Sequence, residues 1–279
     1  MRIDAHQHFW STARGDYGWL TPQSGKLWRD YLPADLAPLL AAAGMDRTLL
    51  VQAAPSEAET HFLLDLARQT PFVAGVVGWT DFAAPDAPQR IAALAKDPLL
   101  VGLRPMVQDI ADDHWIADPA LAPAFRALVA HGLVFDALVL PRHLAPLAVM
   151  LKRHPDLSVV VDHAAKPHIA AQEFEPWRAD LAAIAARPNT FCKLSGLVTE
   201  AGPDWTMRAL KPVVAHLLDT FGPARLIWGS DWPVVTLAAQ YDVWHAAAQA
   251  MLAGLAETEK AAIFGGTAAQ VYLAQRGRL

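Results

Sequence analysis

Short runs of apolar, β-branched residues alternate along the whole chain with longer stretches whose apolar positions recur at helical spacing. The runs Arg2–His8, Thr48–Ala53, Val73–Trp79, Val101–Arg104, Val134–Leu138, Ser158–His163, Thr190–Ser195 and Arg225–Gly229 predict strands. Between them, Pro33–Ala43, Glu57–Gln69, Ala87–Ala95, Pro119–Ala130, Leu144–Lys152, Phe174–Ala186 and Met207–Phe221 predict helices. Leu237–Gly254, Glu257–Phe264 and Thr267–Arg276 predict a helical C-terminal region. The punctuation agrees. Gly44, Gly132 and Gly222 follow helix candidates, where a left-handed residue ends a helix at low cost. Pro71, Pro98, Pro155, Pro188 and Pro223 stand shortly before strands, where a helix must have ended. Asp118-Pro119 has the form of an N-cap followed by proline at the first helical position.

Strands alternating with helices in this way predict an α/β fold, and their number predicts a distorted (β/α)₈ TIM barrel with residues 1–279 as a single domain. An open doubly wound sheet is the alternative. Against it, the first strand leads into no Gly-x-Gly-x-x-Gly phosphate loop.

Composition narrows the functional classes. A length of 279 residues with 53% hydrophobic content suits one such domain. A formal charge of −5 speaks against broad nucleic-acid binding, which needs basic patches. No apolar run approaches the ~20 residues of a membrane span, and the start, Met1-Arg2-Ile3-Asp4, lacks the apolar stretch of a signal peptide. A soluble, cytoplasmic protein that engages neither nucleic acid nor membrane is therefore expected. The single cysteine, Cys192, rules out an internal disulfide and reads as a buried small residue of a strand rather than a nucleophile.

The candidate chemistry sits where strands end. His6-Gln7-His8 closes the first strand, and residues two apart share a face, so the two imidazoles project together into the barrel mouth. There they can bind a divalent ion or polarise a carbonyl. The sixth strand ends in Asp162-His163. Because neighbours alternate, only one of these is expected to point inward, and His163 is the choice; its alternative is a satisfied core histidine. Asp231, in Gly229-Ser230-Asp231-Trp232-Pro233 after the last strand, suits a general base or a metal ligand, the alternative being an N-cap. Arg104 and Lys166 are candidate substrate contacts, each with a structural salt bridge or solvated loop as its plain alternative. Trp10, Trp79 and Trp232 follow strand ends, where an indole can stack on a sugar-like ring or simply fill core, and Trp28 and Tyr31 lie in a long first loop placed to help close the site. Asp136 on the fifth strand, and Lys193 and Ser195 two apart on the seventh, are weaker candidates.

Taken together, Asp4-Ala5-His6-Gln7-His8-Phe9-Trp10, Gly102-Leu103-Arg104-Pro105, Val161-Asp162-His163-Ala164-Ala165-Lys166-Pro167, Lys193-Leu194-Ser195-Gly196-Leu197 and Gly229-Ser230-Asp231-Trp232-Pro233 resemble the amidohydrolase superfamily, and within it the sugar-lactone hydrolase branch that includes L-fucono- and L-rhamnono-lactonases. The C-terminal stretch Ile263–Tyr272 looks like the terminal helix of that group. The resemblance spans nearly the whole chain. It implies water attack on the carbonyl of a small-molecule aldonolactone, giving the sugar acid. By position it implies Asp231 as base, His6, His8 and His163 as the groups that polarise the carbonyl or hold a zinc-like ion, and Arg104, Lys166 and Trp232 as substrate contacts; Trp79 at its strand end and Trp28 in the first loop join them as expected contacts from their places in the chain alone. The metal-dependent pattern of the superfamily has a bridging lysine or glutamate on strand four and a histidine on strand five. Here Arg104 and Asp136 hold those places, so a binuclear centre is not expected. A mononuclear zinc on His6, His8, His163 and Asp231 is the expected site, dispensable for turnover, and no organic cofactor is expected. A zinc-dependent decarboxylase of the same superfamily is the enzymatic alternative, distinguished by complete loss of activity on chelation. A barrel that binds a sugar acid without turnover is the other.

Overall fold

Every apolar run named above forms a parallel strand in a computed structural model, which describes residues 1–277. The first half of the chain runs β1 (Ile3–Gln7), α1 (Pro33–Ala43), β2 (Arg47–Val51), α2 (Glu57–Gln69), β3 (Val73–Gly78), α3 (Ala87–Leu94), β4 (Leu100–Leu103) and α4 (Ala122–Ala130). The second half runs β5 (Val134–Ala137), α5 (Leu144–Arg153), β6 (Val159–Val161), α6 (Trp177–Ala185), β7 (Thr190–Leu194), α7 (Leu197–Ala201), α8 (Met207–Phe221), β8 (Leu226–Trp228), α9 (Tyr241–Met251) and α10 (Glu257–Ala261). The strands form one 8-stranded sheet in sequential order, each pairing in parallel with the next, which is the (β/α)₈ arrangement.

The seam between β8 and β1 gives the barrel its distortion. Just beyond β8, the Asp231 amide donates to the His6 carbonyl and the His8 amide to the Trp232 carbonyl, each at 2.8 Å. Lower in the seam, the Asp4 carboxylate stands in for a backbone acceptor: it takes the Ser230 amide at 2.8 Å and the Tyr241 hydroxyl of α9 at 3.1 Å. The two chains approach closely enough that a Cβ on Gly229 would lie 2.6 Å from the Cβ of His6, so glycine is required there.

The bore is filled by Ile3, Ala5, Leu49, Val51, Val77, Val101, Val134, Val160 and Ile227. Its lower end is closed by the C-terminal segment through Ala268, Val271 and Tyr272, which belong to the same apolar cluster. That segment departs from the ordinary helices expected for it. Past α10 it forms wide π-type turns at Ala262–Gly266 and Ala269–Leu273. The predicted Pro119–Ala130 helix likewise begins as a tight turn, Pro119–Leu121, capped by the Asp118 side chain. Among the described residues no helix is long and apolar enough to cross a membrane.

Candidate active site

The polar residues of the site lie at or just beyond the C-terminal ends of the strands, where this fold presents its loops. On β1 the register against β2 shifts by one residue between Asp4 and Gln7. Such a bulge re-aims side chains. Asp4 faces Tyr241 on the helical side, while Ala5 belongs to the bore and His6 and His8 meet at 3.2 Å between their Nε2 atoms. The His8 Nδ1 lies 2.8 Å from the Val51 carbonyl, which fixes that ring.

The choice between Asp162 and His163 rested on strand alternation, and the structure overturns that premise: both reach the site. β6 ends at Val161, and His163, Ala164, Ala165 and Lys166 all have φ between 52° and 58°. Four successive left-handed residues cost roughly 1–2 kcal/mol each. They persist because the surroundings hold them: Trp177 donates its indole N–H to the Ala164 carbonyl at 2.7 Å, and Ser195 Oγ lies 2.9 Å from His163 Nδ1. Asp162 continues the inward direction of Val160, and the left-handed turn then brings His163 in above it, its ring centroid 4.4 Å from that of His6.

Asp231, itself at φ 59°, closes the cluster. Its Oδ1 lies 3.4 Å from His8 Nε2, 3.7 Å from His6 Nε2 and 3.9 Å from His163 Nε2. Burial pushes the Asp231 carboxyl up, but the imidazoles of His163, His8 and His6 around it outweigh that effect, so the group sits well below the usual carboxylate range. Burial also lowers the histidines: His163 to about 4, and His6 far below its ordinary value with Lys193 adding to the effect. At neutral pH the site thus sets an anionic carboxylate beside the neutral imidazoles of His6 and His163.

Beneath this cluster lies a fully buried ionic network. Lys193 Nζ contacts Asp136 Oδ2 at 2.5 Å, Asp162 Oδ1 at 2.9 Å and His6 Nδ1 at 3.2 Å, with all the side chains at 0% exposure. Tyr272 donates its hydroxyl to Asp136 Oδ1 at 2.7 Å from below. Arg104 pairs with Asp162 at 3.1 Å and donates to the side-chain oxygen of Gln52 at 2.9 Å and to its backbone carbonyl. Burial opposes the charge on Asp162, yet Lys193, His6 and Arg104 hold its carboxyl well below the ordinary range. Burial raises Asp136 to about 6 in spite of Lys193. Burial raises the Cys192 thiol as well, and no partner activates it.

Above the cluster, His8, Arg104, His163, Lys166 and Asp231 line a cavity of about 230 Å³, with Trp19, Met106, Gln108, Asp109, Leu138 and Val234 among its walls. The predicted tryptophans scatter. Trp79 lines a neighbouring cavity of about 760 Å³ that shares Trp19, Met106 and Asp109 with the first. Trp232 and Trp10 are buried in an aromatic cluster with Phe9 and Tyr31. Trp28 is 41% exposed and lines neither cavity. The indole at the mouth is Trp19, fixed by its N–H to the Ala53 carbonyl at 2.7 Å. It carries no strand-end signal, because it is brought in by a loop.

The donors suit a divalent cation. Atoms of His6, His163 and Asp231 lie within 4.8 Å of one another, and His8 adds a fourth beside two of them. A tetrahedral ion with bonds of about 2.0–2.1 Å places its donors roughly 3.3 Å apart, a spacing that the His6–His8 and His8–Asp231 pairs meet at 3.2 and 3.4 Å, while His163 stands 3.9 Å from Asp231.

The model of the Amidohydrolase family matches residues 3–273. This chain belongs to that family. The amidohydrolase is 50% identical over 280 residues to the L-fucono-1,5-lactonase of Burkholderia ambifaria, covering 99% of this chain and 97% of that one. It is 41% identical to the L-fucono-1,5-lactonase of Burkholderia multivorans, covering 98% and 96% of the two chains. A crystal structure of a Burkholderia multivorans amidohydrolase with bound zinc superposes with a TM-score of 0.92 at 41% identity, over 98% of this amidohydrolase and 99% of that chain.

Proposed function

We propose that this amidohydrolase opens a sugar lactone to its sugar acid, with L-fucono-1,5-lactone the first substrate to test. The observation that carries the reading is the convergence of an ionised Asp231 on the imidazoles of His6, His8 and His163 at the floor of a small cavity. Its kinship to lactonases of two Burkholderia species supports the choice of substrate.

In the proposed reaction, Asp231 takes a proton from water as the water oxygen bonds to the lactone carbonyl carbon. His163, with His6, donates to the developing oxyanion, and Arg104 holds the same end of the substrate. As the intermediate collapses, the ring C–O bond breaks and Asp231 returns its proton to the departing ring oxygen. Water is consumed, and the products are a carboxylic acid and a hydroxyl. Lys166 and Trp19 contact the sugar hydroxyls and ring at the mouth. A divalent ion, zinc being the candidate, would be held by His6, His8, His163 and Asp231, where it polarises a carbonyl and acidifies water. The side chains alone provide a base, donors and a proton carrier, so the ion is proposed to be dispensable.

The experiment is acid release from a panel of neutral aldonolactones, with and without chelator, alongside carbon dioxide release from aromatic acids. Turnover of an aldonolactone that survives chelation supports the proposal. Zinc-dependent decarboxylation without lactone turnover would replace it.

A further inference from the structure

Two cavities of very different size adjoin at the mouth of the barrel. The catalytic one, about 230 Å³, falls below the ~300–1,000 Å³ of pockets that enclose a whole small ligand. Its neighbour, about 760 Å³, lies within that range. Trp19 and Asp109 line both, and Trp19 is fixed there by its bond to the Ala53 carbonyl. A ligand seated over Asp231 and larger than a single ring therefore extends past Trp19 into the larger space.

The larger cavity has polar chemistry of its own. Trp79 and Trp115 line it half-buried, and neither indole N–H has an acceptor among the described residues. Asp81 accepts the Ala83 amide on Oδ1, and Asp109 takes a long 3.4 Å bond from Gln108 on Oδ2, so one carboxylate oxygen of each has no partner in the protein. Asp16 is already engaged by Arg14 and Ser56. Among the described residues no lysine, arginine or histidine lines this cavity. A ligand that covers these walls must offer acceptors to the indoles and donors to the carboxylates, or leave both dry and unpaired at a cost. An alkyl chain offers neither. An ammonium group cannot accept, and a phosphate or carboxylate is repelled by Asp81 and Asp109. A hydroxyl does both, and a sugar ring carries hydroxyls at its rim while turning C–H faces to the indoles.

We infer that this cavity is a subsite for a neutral glycosyl residue carried by the lactone, so that the amidohydrolase accepts glycosylated aldonolactones. The lactone ring lies over Asp231 and the second ring lies against Trp79 and Trp115. Hydrolysis opens the lactone ester and leaves the glycosidic bond intact. The placement of the first ring rests on the lactonase reading.

The test compares L-fucono-1,5-lactone with its glucosides at each free hydroxyl in turn. One isomer should exceed the parent lactone in kcat/KM by ~10-fold or more, as two added aromatic contacts predict. Trp115→Ala should remove ~3–10-fold of that gain and leave the parent within about 2-fold, because Trp115 lines only the larger cavity. Trp115 packs partly on the core, so the exposed Asp81 gives a second variant. Asp81→Ala should act in the same direction on the same isomer alone. Glucosides that all fall at or below the parent overturn the inference, as does an octyl ether of the lactone that outperforms every glucoside. Variants that change parent and glucoside equally also overturn it. Calorimetric titration with the reduced glucosyl-L-fucitols reads the subsite without turnover, and one should bind ~10-fold tighter than L-fucitol. Wild-type protein that turns over no lactone removes the lactonase reading, and this titration then decides the subsite by itself: equal or weaker binding of every glucosyl-L-fucitol overturns it.

Discussion

Gly196 presses its Cα against the ring of His163: a Cβ there would stand 2.6 Å from Nδ1 and 2.7 Å from Cγ, and the residue sits at φ +68°. Gly196 is thus the wall that lets the left-handed turn at His163–Lys166 bring its histidine into the site. Gly196→Ala should displace the ring and lower kcat/KM by ~10²-fold or more, because a shift of about 1 Å costs that much in an oriented site. Thermal unfolding should show a loss of roughly 1–3 kcal/mol. A variant with wild-type kcat/KM would show that His163 does not need this placement.

Trp19 and Trp28 are almost equally exposed, at 40% and 41%, yet only Trp19 lines the cavities. Trp19→Ala is expected to raise KM by about 3–10-fold with a smaller effect on kcat, matching the ~0.5–1.5 kcal/mol of an aromatic contact. Trp28→Ala should leave both constants within about 2-fold, since surface changes away from a site have little effect. The reverse ranking in steady-state kinetics would move the mouth of the site to the other side of the first loop.

How far the site was legible in the sequence follows from backbone regularity. His6, His8 and Asp231 follow from strand ends, because an apolar run marks where a barrel strand stops and hence which residues face the mouth. Asp162 was set aside on strand alternation, a rule that holds only while the strand lasts, and the left-handed turn begins one residue later. No pattern of apolar and polar positions announces four left-handed residues that include two alanines. Lys193 and Asp136 stood out as charges inside apolar strands; their pairing was hidden because it joins non-adjacent strands across the bore. The tryptophans were least legible. An indole after a strand packs equally well into core, as Trp232 does, and the one at the mouth arrives on an irregular loop.

Glu59 supplies a pH dependence outside the catalytic cluster. It is buried beneath the loop that carries Ala53, accepting the amides of Ala53 and Ala54. Burial raises its pKa from 4.5 to about 7 despite those bonds. A raised carboxyl binds its proton more tightly when folded. Its ionisation therefore destabilises the native state: the penalty is absent below pH 4.5, grows as pH rises, and is complete above about 7, on the order of 3 kcal/mol. Glu59→Gln should consequently gain melting temperature relative to wild type at pH 8 compared with pH 5. A relative loss on going to pH 8 would contradict the assignment.

The most direct test of the central claim is the initial rate of acid release from L-fucono-1,5-lactone by chelator-treated protein, wild type beside Asp231→Asn. The account predicts that the wild type keeps its turnover, while the Asn variant, with unchanged circular dichroism, loses ~10²–10⁴-fold in kcat, the range for a general base. An Asp231→Asn protein with near-wild-type kcat, or a wild type with no hydrolysis above the uncatalysed rate, would contradict it.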